Sequence, residues 1–150
     1  MATINRSALV NYSAQAMYEL VNDVASYPQF MDGCYGAEII EQTDQTMLAK
    51  LELRKAGVQV NLTTSNTLIP HSSIEMQLQD GPFNSLKGLW LFTPLSDDAC
   101  KVSLDLQFEF SSRSLGLAAS GLFSGVASNL VDSLCRRANE VLSEENNGNK

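Results

Sequence analysis

A chain of 150 residues with 44% apolar side chains is long enough for one domain with a packed core, which excludes a disordered chain. Its formal net charge of −7 repels a phosphate backbone, and the ten Lys and Arg are scattered, with only Arg54-Lys55 and Arg136-Arg137 adjacent, which argues against nucleic-acid binding by bulk charge. Three distant cysteines, Cys34, Cys100 and Cys135, form no CxxC pair and point to free thiols in a reducing compartment, not to a disulfide framework or a zinc site.

The opening "MATINRSALV" has no apolar leader core, and no run approaches the ~18 apolar residues of a membrane span. A soluble, cytoplasmic protein is expected. Residues 3–10 predict a first strand. "NYSAQAMYELVNDVASYP" predicts a helix capped by Ser13, with Met17, Leu20, Val21 and Val24 in one buried stripe. Pro28 should end it near Ala25-Ser26, and a short second turn is expected around Pro28 to Asp32. Gly33 and Gly36 then release the chain into strands.

The middle of the chain alternates with period two. Met47, Ala49, Leu51 and Leu53 face one way; so do Val58, Val60 and Leu62, then Ile74, Met76 and Leu78, then Cys100 through Phe110 in even steps. Ala56-Gly57, Pro70-His71, Asp80-Gly81-Pro82 and Asp97-Asp98 punctuate these runs, which predicts a six-strand antiparallel meander with one dry face. "LKGLWLFTPL" departs from the rule: Trp90 and Phe92 fall on one face, and Leu89, Leu91 and Leu95 on the other. Either a loop or helix covers the second face, the reading slightly favoured, or it is a partner patch.

One long helix is expected from about Ser114 to about Leu142, and only it can fill the concave face of a curved sheet. The fold class is therefore α+β, a sheet of six to seven strands gripping a C-terminal helix, in one domain over 1–143 with a disordered tail at 144–150. On a helical wheel starting at Leu115, the residues Leu122, Phe123, Val126, Ala127, Leu130 and Val131 span roughly 180°, wider than the usual stripe of about 100°. Beside them Gly121, Gly125, Ser128 and Asp132 form a narrow flank of small side chains. Three readings compete for these glycines: close approach of helix and sheet, space for a ligand, or a helix weakened to move as a lid. An empty apolar cavity of ~400 Å³ costs about 10 kcal/mol, comparable with the whole stability of a domain at about 5–15 kcal/mol, so such a cavity is occupied, wet or collapsed.

Catalytic parts are missing from the sequence. His71 is the single histidine and sits in a Pro-His turn; Asp105 and Glu109 lie on a polar strand face; no HExxH, GxSxG, Walker or GxGxxG motif occurs. Asp132 is the most interesting carboxylate, and Arg6, Asp23 and Tyr35 lie near element ends that could ring a cavity mouth.

"VNYSAQAMYELVNDVASYPQFMDGCYGAEI", "GPFNSLKGLWLFTPL" and "VSLDLQFEF" together resemble the RatA and coenzyme Q-binding branch of the START-like (polyketide cyclase/dehydrase, Bet v 1-type) superfamily, with the Asp-Val-x-x-Tyr-Pro-x-Phe segment at residues 23–30 the most specific piece. The sequence departs from that pattern at Asp32-Gly33, where relatives often carry Pro-Trp. The resemblance implies a helix-grip fold and two activities: carriage of ubiquinone in a tunnel, or binding of the large ribosomal subunit to block subunit joining. A non-enzymatic carrier of ubiquinone or lipid is the first expectation, supporting respiration and requiring no cofactor. Its lining would be Phe30, Leu51, Leu53, Val60, Leu62, Trp90, Phe92, Leu106, Phe108, Leu122, Phe123 and Val126, with the small stripe of Gly121, Gly125 and Ser128 alongside. The alternative is a RatA-type toxin whose partner patch includes Leu89 and Leu91, reaching ribosomal proteins rather than RNA because of the charge. A cyclase-like enzyme is the third. No DNA partner, metal or transmembrane segment is expected; transient membrane contact suits a carrier.

Overall fold

The computed structural model describes residues 2–111 and 117–148, with only the backbone described at 117 and 143–148. Strand β1 (Ala2–Val10) leads into α1 (Ala14–Asn22) and a 3-10 segment, Val24–Gln29. Six strands follow, β2 (Cys34–Gln42), β3 (Thr46–Lys55), β4 (Val58–Ile69), β5 (Ser73–Asp80), β6 (Phe83–Ser96) and β7 (Ala99–Phe110), then α2 (Leu117–Ser128) and α3 (Leu130–Gly148). All seven strands form one antiparallel sheet in the order β1-β7-β6-β5-β4-β3-β2. This is the helix-grip expected from the alternation. Strand β1 pairs with β7, at the far edge from β2, because α1 packs across β6 and β7 and the 3-10 segment against β2, carrying the chain over the concave side.

The register follows the period-two pattern. Leu51 stands opposite Leu62, and Trp90 lies between Ile74 and Leu104, so inward residues meet inward residues. At the β3–β4 turn, Ala56 and Gly57 take φ of 53° and 81°; this mirror-image two-residue turn matches the strand twist.

Helix α1 begins as predicted: the Ser13 hydroxyl accepts from the Ala16 N–H at 3.1 Å. Met17, Val21 and Val24 are buried and Leu20 is half-buried. Its end differs from expectation. The helix stops at Asn22, and the second turn covers Val24–Gln29 instead of Pro28–Asp32. The reason is Tyr27, which is buried and donates its hydroxyl proton to the Val21 carbonyl, tying the segment back onto the last turn of α1.

The expected single terminal helix is two. At Asn129 the backbone N–H is shared between the carbonyls of Gly125 and Val126, both at 3.2 Å, and helix resumes with Ser133 N–H donating to Asn129 at 2.9 Å. Gly125, Ser128 and Asn129 are weak helix formers, so the bend falls where backbone preference is lowest. The expected start at Ser114, the wheel origin Leu115 and Gly116 lie outside the described residues. Helix α3 continues to Gly148, past the expected boundary at residue 143. Among the described residues, no helix is long and apolar enough to cross a membrane.

Candidate functional site

The concave face beneath α2 is filled by aromatic rings. Phe123 of α2 lies 4.9 Å from both Phe83 and Phe108 and 5.6 Å from Phe110, edge-on to each. Further along, Trp90 and Phe92 stack at 6.3 Å, and Tyr18 of α1 meets Phe92 edge-on at 5.7 Å. Of the expected tunnel lining, Leu53, Val60, Leu62, Trp90, Phe92, Leu106, Phe108, Leu122 and Phe123 are buried in one core, while Phe30, Leu51 and Val126 are half-buried against it. Between α1, the 3-10 segment and the sheet lies a gap of about 60 Å³, bordered among the expected residues by Leu51 and Trp90, whereas Leu122 and Val126 border a larger cleft beside the last helices. Ligand pockets typically run to about 300–1,000 Å³. Alternation along a strand states which way a side chain points, but not how far the opposing layer reaches; phenyl rings from β6, β7 and α2 converge and take the space.

Two polar side chains border that gap, Asn22 at the end of α1 and Asn66 on β4, and the Oδ1 of each is buried without a hydrogen-bond partner among the described residues. Sequence reasoning passed over Asn66. Its signal was present: it continues the inward parity of Val58, Val60 and Leu62.

Beside Leu122 and Val126, the last helices border a cleft of about 470 Å³. Gly121, Gly125, Asn129 and Asp132 form one wall; Met31, Asp32 and Lys55 stand across it. Among the described residues, a Cβ placed on Gly121 or Gly125 would meet nothing within 4 Å, so these glycines serve no close approach of helix to the described sheet. They leave open space, outside the core and not inside it. Ser128, expected in this stripe, does not line the cleft; Asn129, one turn after Gly125, does. Asp132 is there as expected, with Arg136, whose guanidinium also reaches the buried Ser133 hydroxyl at 3.5 Å. Lys55 Nζ lies 2.8 Å from Asp32, and this hydrogen-bonded ammonium holds the carboxyl below the usual carboxylate range.

Gly33, by contrast, is closely packed against α2. Its φ is +89°, and a Cβ there would lie 2.8 Å from Val126 Cγ2. At this position the chain has no room for a side chain, and the loop closes on α2.

On the convex face, Leu89 is half-buried, while Leu91 and Leu95 are 38% and 57% exposed, so among the described residues no loop or helix covers them as expected. An open groove of about 340 Å³ surrounds Leu89, bordered by Glu75, Lys87, Asp105 and Gln107.

The remaining candidates sit in separate settings. Arg6 is exposed on β1, donating to the Asn5 carbonyl at 3.1 Å; Asp23 accepts from Ser26 at 2.6 Å; Tyr35 lies under the Arg54 guanidinium at 4.4 Å. They do not ring one mouth. His71 is exposed in its turn at φ 65° with its ring edge-on to Tyr18. Glu109 is exposed, and Asp105 accepts from Asn5 Nδ2. Burial, then the nearby Glu52 charge, push the Cys34 thiol up to about 11, so it stays protonated and unreactive near neutrality. Burial also raises Tyr27. Among the described residues, no three His, Cys, Asp or Glu side chains gather within reach of one metal ion.

A family model described as polyketide cyclase / dehydrase and lipid transport matches residues 10–135. The chain is 49% identical over 144 residues to a Vibrio cholerae protein named ribosome association toxin RatA, covering 96% of this chain and 100% of that one. It is 29% identical over 144 residues to the mitochondrial coenzyme Q-binding protein COQ10 of Drosophila melanogaster, covering 93% of this chain and 56% of that one. The crystal structure of the Zhui aromatase/cyclase from Streptomyces sp. R1128 superposes with a TM-score of 0.78 at 18% identity, over 94% of this chain and 95% of that one, a likeness of fold. The alternating sheet, the gripped helices and the family match over most of the chain's length agree: this protein belongs to the polyketide cyclase / dehydrase and lipid transport family.

Proposed function

We propose that this protein binds the large ribosomal subunit in the cytoplasm and blocks its joining to the small subunit, acting as a non-enzymatic, single-domain protein through its outer surface. The observation that carries this reading is the end-to-end match to a relative named for ribosome association. The geometry supports it: an interior gap of about 60 Å³ offers little to a guest, whereas the cleft beside Gly121 and the groove around Leu89 are open. The charge of −7 favours contact through basic ribosomal proteins over contact with RNA. Sucrose-gradient sedimentation after overexpression tests it. Protein in the large-subunit fractions, with joined ribosomes depleted, is the expected result; protein left at the top with unchanged subunit ratios overturns the reading.

A second reading, carriage of ubiquinone or a lipid, draws on the COQ10 relative and on the unpartnered Asn22 and Asn66 beside the apolar gap. Burying an isoprenoid tail is worth about 0.8 kcal/mol per CH₂, but a guest entering the gap of about 60 Å³ has to displace the side chains around it. Native mass spectrometry decides this. Absence of any quinone or lipid, both as purified and after addition, removes the carrier reading.

A further inference from the structure

The convex face of β5–β7 carries a pattern that neither the fold nor the core requires. Strand register places its residues in rows. Glu75, Leu89, Asp105 and Asn5 form one row across four strands; Ser73, Leu91, Ser103 and Ser7 form the next; Gln77, Lys87 and Gln107 lie on the other side. At the centre are two leucines beside small hydroxyls, with the groove of about 340 Å³ around Leu89. Glu75 and Asp105 stand across Leu89, two strand spacings or about 10 Å apart. Neither carboxylate forms an ion pair among the described residues, and Asp105 is held in place by the Asn5 amide. Lys87, one row away, offsets only part of this charge.

An apolar centre with a charged rim is the usual anatomy of a protein contact. The two carboxylates select its occupant. They repel phosphate and attract a cation whose alkyl stem can lie on Leu89 while its head sits between Glu75 and Asp105, which describes lysine or arginine. We propose that this face, centred on Leu89 and Leu91, docks a Lys- or Arg-bearing segment of a basic protein, which on the ribosome reading above is a protein of the large subunit.

The test uses the full-length chain with purified large ribosomal subunits. Two double variants change net charge equally: Glu75→Gln/Asp105→Asn on this face, and Gln59→Lys/Asn61→Lys on β4 as the control. Circular dichroism melts establish that both fold. The first should weaken co-sedimentation roughly tenfold or more and the second should leave it unchanged. A photo-crosslinking benzoylphenylalanine in place of Leu91 should capture a basic ribosomal protein. Equal binding by the wild type and Glu75→Gln/Asp105→Asn, or crosslinks to ribosomal RNA or to a second copy of this chain, overturns the proposal while leaving ribosome association standing. If the wild type does not sediment at all, ribosome association falls, and the surface is then judged with a labelled alternating Arg–Leu peptide against a Glu–Leu peptide. Saturable Arg–Leu binding that Glu75→Gln/Asp105→Asn abolishes sustains the docking surface; no binding, or equal binding of both peptides, removes it.

Discussion

The two flanks of α2 contrast within one helix. On the flank toward the sheet, Phe123 is held by three other phenyl rings and Ala127 is buried. On the flank toward solvent, Gly121 and Gly125 meet nothing among the described residues that a methyl group would disturb. A helix weakened by glycines is tolerated because burial on its other side exceeds the loss; a large buried ring is worth several times the ~1 kcal/mol that each glycine costs. The contrast extends to Gly33, which looks equivalent in sequence yet is locked by its backbone and by Val126. What a glycine does is set by what faces it.

Breaking the packed side gives the largest effect. Phe108→Ala should lower stability by about 3–5 kcal/mol in urea denaturation, since Phe108 is 1% exposed among rings. A loss below about 1 kcal/mol would mean a loose cluster with room for a guest, reviving the carrier reading. Next comes the contact between the loop and α2. Gly33→Ala combines a left-handed backbone with an approach of 2.8 Å and should cost about 1–3 kcal/mol by the same assay.

The solvent flank should respond in the opposite direction. Gly121→Ala and Gly125→Ala should each raise stability by about 1 kcal/mol in thermal melts, with no steric penalty. If either also weakens ribosome sedimentation, the cleft takes part in binding; if neither does, the convex face acts without it.

The smallest effect is on pH. The folded-state value of the Cys34 thiol is raised from 9.0 to about 11, so its contribution to stability is complete below pH 9 and is lost as pH rises toward 11. Tyr27, raised above 10.0, acts in the same direction at higher pH. Urea midpoints from pH 8 to 11 should fall, and Cys34→Ala should flatten the earlier part of that fall.

The strand pattern was legible because each step of two along β3, β4 and β7 reports the same thing, whether a side chain is wet or dry. The Ser13 cap and the turns at Ala56-Gly57 and Pro70-His71 were legible for a related reason: they depend on neighbours within a few residues. Leu89 and Leu91 were recognisable as outward apolar residues, but their exposure was not, since that depends on whether another element happens to lie above them. The break at Asn129 was missed because a wheel drawn as one straight helix carries its phase across a bend. Asn66 was missed because a polar side chain on a dry face looks like an end to the strand pattern until the partner layer is seen.

The chain's order of residues by itself determined the strands and the first helix, their inward faces, the antiparallel order of the meander and the family resemblance, because local periodicity and turn chemistry act over short separations. Only the tertiary structure decided that the concave space is taken by phenyl rings, that Gly121 and Gly125 open on solvent while Gly33 is closed against α2, and that Glu75 and Asp105 flank Leu89 in one row. Those outcomes depend on how closely layers from distant parts of the chain approach, and that distance is set by the summed volume and packing of side chains that no local pattern records.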